Sequence, residues 1–151
     1  MDLHERARRL TVREGPGPFL HLLASTASEA FDLAWALSVE SHPRTVARVV
    51  RGRKCRESQA LFDEFAAAWQ FPPYFGENWD ALDECLADLE WLRAQAYVLI
   101  VADAIRLLDD EPTDTFRLFV EIVADIARER SEDEGEPGSP PASFHVVFHA
   151  E

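Results

Sequence analysis

Phe19–Ala24, FLHLLA, is an apolar run of strand length. Beyond it the period changes. Ala30, Phe31, Ala34 and Leu37 return at three- and four-residue steps and predict a helix over Ala27–Leu37, with Ser25, Thr26 and Ser28 as candidate caps. His42-Pro43 breaks that helix, because proline lacks the N–H that would continue it. Val46–Val50, VARVV, is β-branched and predicts a strand that ends in a turn at Gly52. Leu61, Phe62, Phe65 and Trp69 share one face of a second helix over Ser58–Trp69, a spacing that assigns these aromatics to the core.

Tyr97–Val101, YVLIV, has no polar alternation and reads as an interior strand covered on both faces. Asp103–Leu108 is a loop or a short helix. Thr115–Arg130 is a long helix that buries Phe119, Ile122, Val123 and Ile126. Ser131–Ala142, SEDEGEPGSPPA, is an acidic Pro/Gly/Ser loop, and Phe144–His149 is the last strand. Strands alternating with helices define an α/β class: a small parallel sheet of three strands, or four if Phe19–Ala24 joins an edge, with packed helices. At 151 residues the chain suits a single domain with a real core.

Between the second helix and the Tyr97 strand lies the most informative stretch, Phe71–Leu92, FPPYFGENWDALDECLADLEWL. Pro72 and Pro73 stop the preceding helix. Tyr74-Phe75-Gly76 forms an aromatic loop in which Gly76 is suited to a positive φ. Asn78 is a good N-cap for a helix starting near Trp79, whose apolar face is Trp79, Leu82, Leu86 and Leu89. Asp80, Glu84 and Asp88 stack at four-residue steps on the opposite face, with Asp83 beside them and Glu77 just before.

That stripe admits two readings. One is a solvated helix face, with Glu77 and Asp80 answering the positive end of the helix dipole. The other is a surface for a cationic partner. Like charges four apart destabilise a helix by roughly 0.2–0.5 kcal/mol, and no Lys or Arg occurs between Arg56 and Arg93, where nine acids do. The whole chain carries a formal charge of −13. The charge is uneven: residues 1–56 hold ten basic and six acidic groups, while residues 57–151 hold five and twenty-two. This balance argues against nucleic acid as a direct ligand and fits a basic protein partner. The chain has no apolar run of membrane-span length, and its start, MDLHERARRLTVREGPGP, lacks the apolar core of a signal peptide. Cys55 and Cys85 suggest no disulfide framework, so a cytoplasmic location with both thiols reduced is expected.

Catalysis has few candidates. On a strand, His145 and His149 would sit roughly 13 Å apart, too far to share a metal. His4, His21 and His42 fall in tail, strand and turn. The chain contains no phosphate-binding loop, dinucleotide fingerprint, nucleophile elbow or H-E-x-x-H. Asp80, Asp83 and Glu84 could hold Mg²⁺ only without a basic neighbour to receive a phosphate. No cofactor or metal is expected, and the chain reads as a binding protein with no enzymatic activity.

The run YFGENWDALDECLADL resembles the central loop and helix of the barstar family, the intracellular inhibitors of secreted bacterial ribonucleases. The resemblance extends over about residues 45–149 and implies a barstar-like fold, with residues 1–43 as an extension and 131–142 as an insertion. It further implies that Glu84 stands where the family places its principal phosphate-mimicking carboxylate, usually Asp, and that Asp80 matches a second interface acid. Tyr74 and Asn78 match loop contacts, with Phe75, Gly76 and Glu77 in the same loop, and Asp125 stands for an acid on the last long helix. Asp83 replaces a tryptophan, which removes a stacking surface and adds charge. The expected function is occlusion of a basic ribonuclease active site by a chain that is monomeric when free. The alternative is a protein-interaction or immunity module with a partner that is not a ribonuclease.

Overall fold

The computed structural model describes residues 20–24, 27–40, 44–133, 135 and 142–150. The expected tail and Gly-Pro turn, Phe19, the caps Ser25 and Thr26, the His42-Pro43 break and most of the acidic loop lie outside the described residues.

Four strands form one parallel sheet: β1 (Leu20–Ala24), β2 (Thr45–Arg51), β3 (Ala96–Ala102) and β4 (Ser143–Ala150), in spatial order β1-β4-β3-β2. The fourth strand therefore does join an edge, with Leu20 opposite Val146 and Ala24 opposite Ala150. Both interior strands, β3 and β4, come late in the chain. Every residue of β3 is buried, as its unbroken apolar run requires. Tyr97 aligns with Val46 on one side and Phe144 on the other, and this register continues to the strand ends.

The helices are α1 (Ala27–Glu40), α2 (Ser58–Ala68), α3 (Trp79–Asp88) and α4 (Thr113–Glu132). One face of the sheet packs against α2, α3 and α4 in a core that includes Val50, Phe65, Trp69, Leu86, Leu99, Phe119 and Val146. The other face meets α1, where Ala30, Leu33 and Leu37 pack on Ala47, Val98, Ile100 and Val147. Because β1 and β2 occupy opposite edges, the β1–α1–β2 crossover spans the whole sheet. The far side of α1 leaves Phe31, Trp35 and Val39 exposed.

Helix ends differ from the periodicity reading by a few residues. α1 continues three residues past Leu37 to Glu40. α4 begins at Thr113, with Pro112 at the cap position, where its carbonyl accepts from Thr115 N–H at 2.9 Å. It also takes in Ser131 and Glu132, which composition alone assigned to the acidic loop. Ser131 Oγ donates to the Arg128 carbonyl, and Asp133 N–H closes the last turn on Glu129. Extending a formed helix costs far less than nucleating one.

The β2–α2 corner is tied by paired charges. Arg51 donates to both carboxylate oxygens of Glu64 at 2.8 Å, and its backbone N–H donates to the same carboxylate at 3.0 Å. Arg56 forks to Asp109 at 2.8 Å and Asp110 at 2.9 Å, anchoring the segment after β3. Gly52 lets that segment approach: a Cβ there would lie 2.2 Å from the Asp103 carbonyl oxygen.

Candidate protein-binding face

The chain leaves α2 through buried Trp69 and turns sharply at Gln70, whose φ is 54°. Pro72 then accepts a hydrogen bond from Phe75 N–H at 3.0 Å, which closes the aromatic loop. The two loop aromatics part company. Phe75 packs edge-on against Phe71 and Phe62 at the rim of the core, with ring centroids 4.8 and 6.2 Å away. Tyr74 is 72% exposed. Phe75 therefore covers the core, and Tyr74 is the ring left available.

Asn78 caps α3 as its residue type dictates: its Oδ1 accepts from Ala81 N–H at 2.8 Å. Its Nδ2 donates back to the Gly76 carbonyl at 3.2 Å. The positive φ expected at Gly76 falls instead on Glu77, at 52°. What Gly76 supplies is room, since a Cβ there would lie 3.3 Å from Asn78 Nδ2. The Glu77 carboxylate accepts from Gln59 of α2 at 3.1 Å, and Gln59 also donates to Asp63 at 3.0 Å. Asp63 thereby joins Glu77 at one end of the face, a neighbour that helical spacing within α3 could not show.

Along α3, Leu82, Cys85 and Leu86 are buried, while Asp80, Asp83, Glu84 and Asp88 are exposed. Trp79 sits at the boundary, its ring 5.0 Å from Phe62. Asp83 lies where α3 meets α4. Although the residue is exposed overall, partial desolvation of its carboxyl beside α4 holds it above the usual aspartate range, and the charges of Glu129, Asp125, Asp80 and Glu84 add to the shift. Asp125 of α4 is exposed and accepts from Arg128 at 2.6 Å, so a cation on its own helix partly answers it. Glu129 was not among the expected site residues, yet it ranks ahead of Asp125 in its effect on Asp83. The four-residue step from Asp125 was the available signal.

Tyr74 lies in the field of the last turn of α3. Desolvation of its phenol, followed by the charges of Asp88, Cys85 and Glu90, pushes its pKa up. The helix closes at Leu89, which adopts a left-handed φ of 50°. Folding also supplies a cation that the sequence count did not place near α3. Arg130, from α4, donates to the Ala87 carbonyl at 2.7 Å.

Among the described residues, the thiols and the His149 imidazole are turned inward. Cys55 and Cys85 are free and buried. Burial pushes the Cys55 thiol up to about 12, and it raises Cys85 as well, helped by Asp88 and Glu84. His149 is fully buried, and its Nδ1 accepts from the Asp103 N–H at 3.0 Å. Among the described residues no group of three or more His, Cys, Asp or Glu side chains is arranged to hold a metal. No helix among them is long and apolar enough to cross a membrane.

A helix-flanked parallel sheet with an acidic helix and an aromatic loop at its rim defines the class of protein. The family model described as Barstar (barnase inhibitor) matches residues 45–146, from the start of β2 into β4 and through the whole of this face. That match covers about two thirds of the 151 residues, and the chain belongs to the barstar family. It leaves β1 and α1 outside. Comparison with curated proteins finds no match.

Proposed function

We propose that this protein is a cytoplasmic inhibitor of a bacterial ribonuclease, acting by stoichiometric occlusion and without turnover. A ribonuclease must gather cations to bind the scissile phosphate, so its active site is a basic concavity. The α3 face offers the complement: Asp80 and Glu84 stand in for phosphates, Asp83 and Asp88 widen the negative field, and Tyr74 supplies a ring for stacking. Glu77 and Asp125 extend the charge to either side. Phe75, Gly76 and Asn78 act through the loop's shape, because each is engaged in the core rim or in the helix cap.

The single observation that carries this reading is the exposed row Asp80, Glu84 and Asp88 on a capped helix, beside an exposed Tyr74, in a chain of the barstar family. The partner is a basic protein, neither nucleic acid nor a membrane, and the free inhibitor is a single-domain monomer. A titration of barnase and a panel of other basic bacterial ribonucleases, read by RNA cleavage, tests it. Complete inhibition at a one-to-one ratio for any of them is the expected result. Full RNase activity throughout, with no complex by calorimetry, would refute it.

A second reading is a barstar-like module for a different toxin. The charge that Asp83 brings to the centre of the face, and the β1–α1 layer outside the family match, favour it. Binding of a basic toxin that cleaves no RNA would select this reading.

A further inference from the structure

Resting on the assignment of α3 as the binding helix, we propose that Arg130 is a positioning residue: it sets the angle of α3 against α4 and thereby the spacing between their two rows of acids. Its Nη2 donates to the carbonyls of Ala87 at 2.7 Å and Asp88 at 3.3 Å. Both lie at the end of α3, beyond the Cys85 carbonyl on which Leu89 N–H closes the helix. A cation here also answers the negative end of the helix dipole. The Nη1 of the same guanidinium donates to the Ala142 carbonyl at 3.3 Å, at the entry to β4, and its carbon lies 5.1 Å from the centre of the Tyr97 ring on β3. Tyr97 in turn directs its hydroxyl to the carbonyls of Leu89 and Leu92, just past the end of α3. Two side chains thus join the end of the acidic helix to α4, β3 and β4.

Apolar packing by Leu86 and Leu89 holds that end onto the core, but it does not fill the side facing α4. Leu82, Leu86 and Leu89 fix the rotation of α3 on the core. Near its last turn, however, a groove of about 390 Å³ separates the helices, lined by Ala87, Asp88, Ile126, Glu129, Arg130 and Asp133. The guanidinium bonds cross that gap. Asp83 stands one turn before Ala87, and Glu129 directly precedes Arg130, so the clamp lies one turn from where the acidic rows meet.

Arg130→Met keeps an apolar stem beside Tyr97 and removes every donor. The carboxyl titration of Asp83, followed by NMR, reads the helix angle without a partner. If Arg130 positions α3, its loss lets Glu129 and Asp125 recede, and the Asp83 pKa moves down toward the ordinary aspartate range. Simple removal of a nearby positive charge would move it up. A downward shift supports the proposal; an upward shift or none overturns it. Arg130→Lys keeps the charge but not the fork, so a smaller downward shift is expected, and this variant carries the test if the Met variant does not fold.

Barnase serves as the second probe. The Met variant should dissociate about tenfold faster, with association unchanged or quickened by loss of a cation from an acidic field. Wild-type dissociation by the variant would also overturn the proposal. Failure of the wild type itself to bind barnase or the other ribonucleases would defeat the ribonuclease reading alone, and the Asp83 shift would still decide the role of Arg130.

Discussion

At the β2–α2 corner Glu64 is held by three hydrogen bonds from Arg51, while at the α3–α4 edge Asp83 shares its surroundings with Asp80, Glu84, Asp125 and Glu129. The same carboxylate chemistry is pushed in opposite directions. The Arg51 guanidinium keeps the Glu64 carboxyl below its usual range; partial desolvation and four neighbouring acids keep Asp83 above its own. The first arrangement joins a strand to a helix and serves the fold. The second works slightly against the fold, since each acid added to the row raises repulsion that no helix contact requires. Negative charge gathered at the expense of stability is what the proposed binding function would explain.

Four experiments would break or sharpen this contrast. The largest effect is expected from Asp80→Lys with Glu84→Lys. Affinity for the ribonuclease should fall at least about a hundredfold, roughly 2.7 kcal/mol, with the unfolding midpoint unchanged or raised. Normal binding by this double variant, in a calorimetric titration, would move the interface elsewhere. Next is salt. If the acidic field steers encounter, stopped-flow association should slow by about tenfold or more between low ionic strength and 0.5 M salt, because a Debye length shorter than 8 Å screens exposed charges.

Third, Glu64→Gln should lower stability by about 1 kcal/mol at neutral pH, discounted for the exposed side of Arg51. Because the folded pKa of Glu64 is depressed, its contribution is full above the unfolded glutamate value, near 4.3. It is lost as pH falls through the folded pKa, so denaturant curves of wild type and variant should converge there. The smallest effect has the opposite sign. The raised folded pKa of Asp83 means that ionisation costs stability as pH rises through the interval between its unfolded and folded values. Asp83→Asn should therefore stabilise by a few tenths of a kcal/mol at neutral pH and by nothing at pH 2. Equal losses for Glu64→Gln and Asp83→Asn would erase the distinction between the two regions.

Much of the acidic face was legible along the chain because it lies on one helix. The cap at Asn78, the buried side of Leu82, Leu86 and Leu89, and the exposed row from Asp80 to Asp88 are all consequences of a 3.6-residue period and short-range hydrogen bonding. Asp63 was not legible as a neighbour of that row, and Glu129 only through its four-residue step from Asp125, since they come from α2 and α4 and spacing within one helix cannot measure distance between two. The division of labour between Tyr74 and Phe75 was open for the same reason. The Tyr74 hydroxyl inclines that ring toward water, but either loop aromatic could cover a core, and the positions of Phe62 and Phe71 decide that Phe75 is the one with rings to pack against.

The four long helices and the strands β2 to β4 were determined by sequence alone, to within a few residues at their ends, because periodicity and capping are local. So was membership of the sheet's interior for β3, whose apolar run leaves no face for water. The tertiary structure decided that β1 closes the far edge beside β4, that α1 covers the second face, and that Arg130 reaches the end of the acidic helix. Those outcomes depend on which surfaces meet after the chain has crossed the sheet. They bring together residues mostly more than forty positions apart, and no local pattern encodes that meeting.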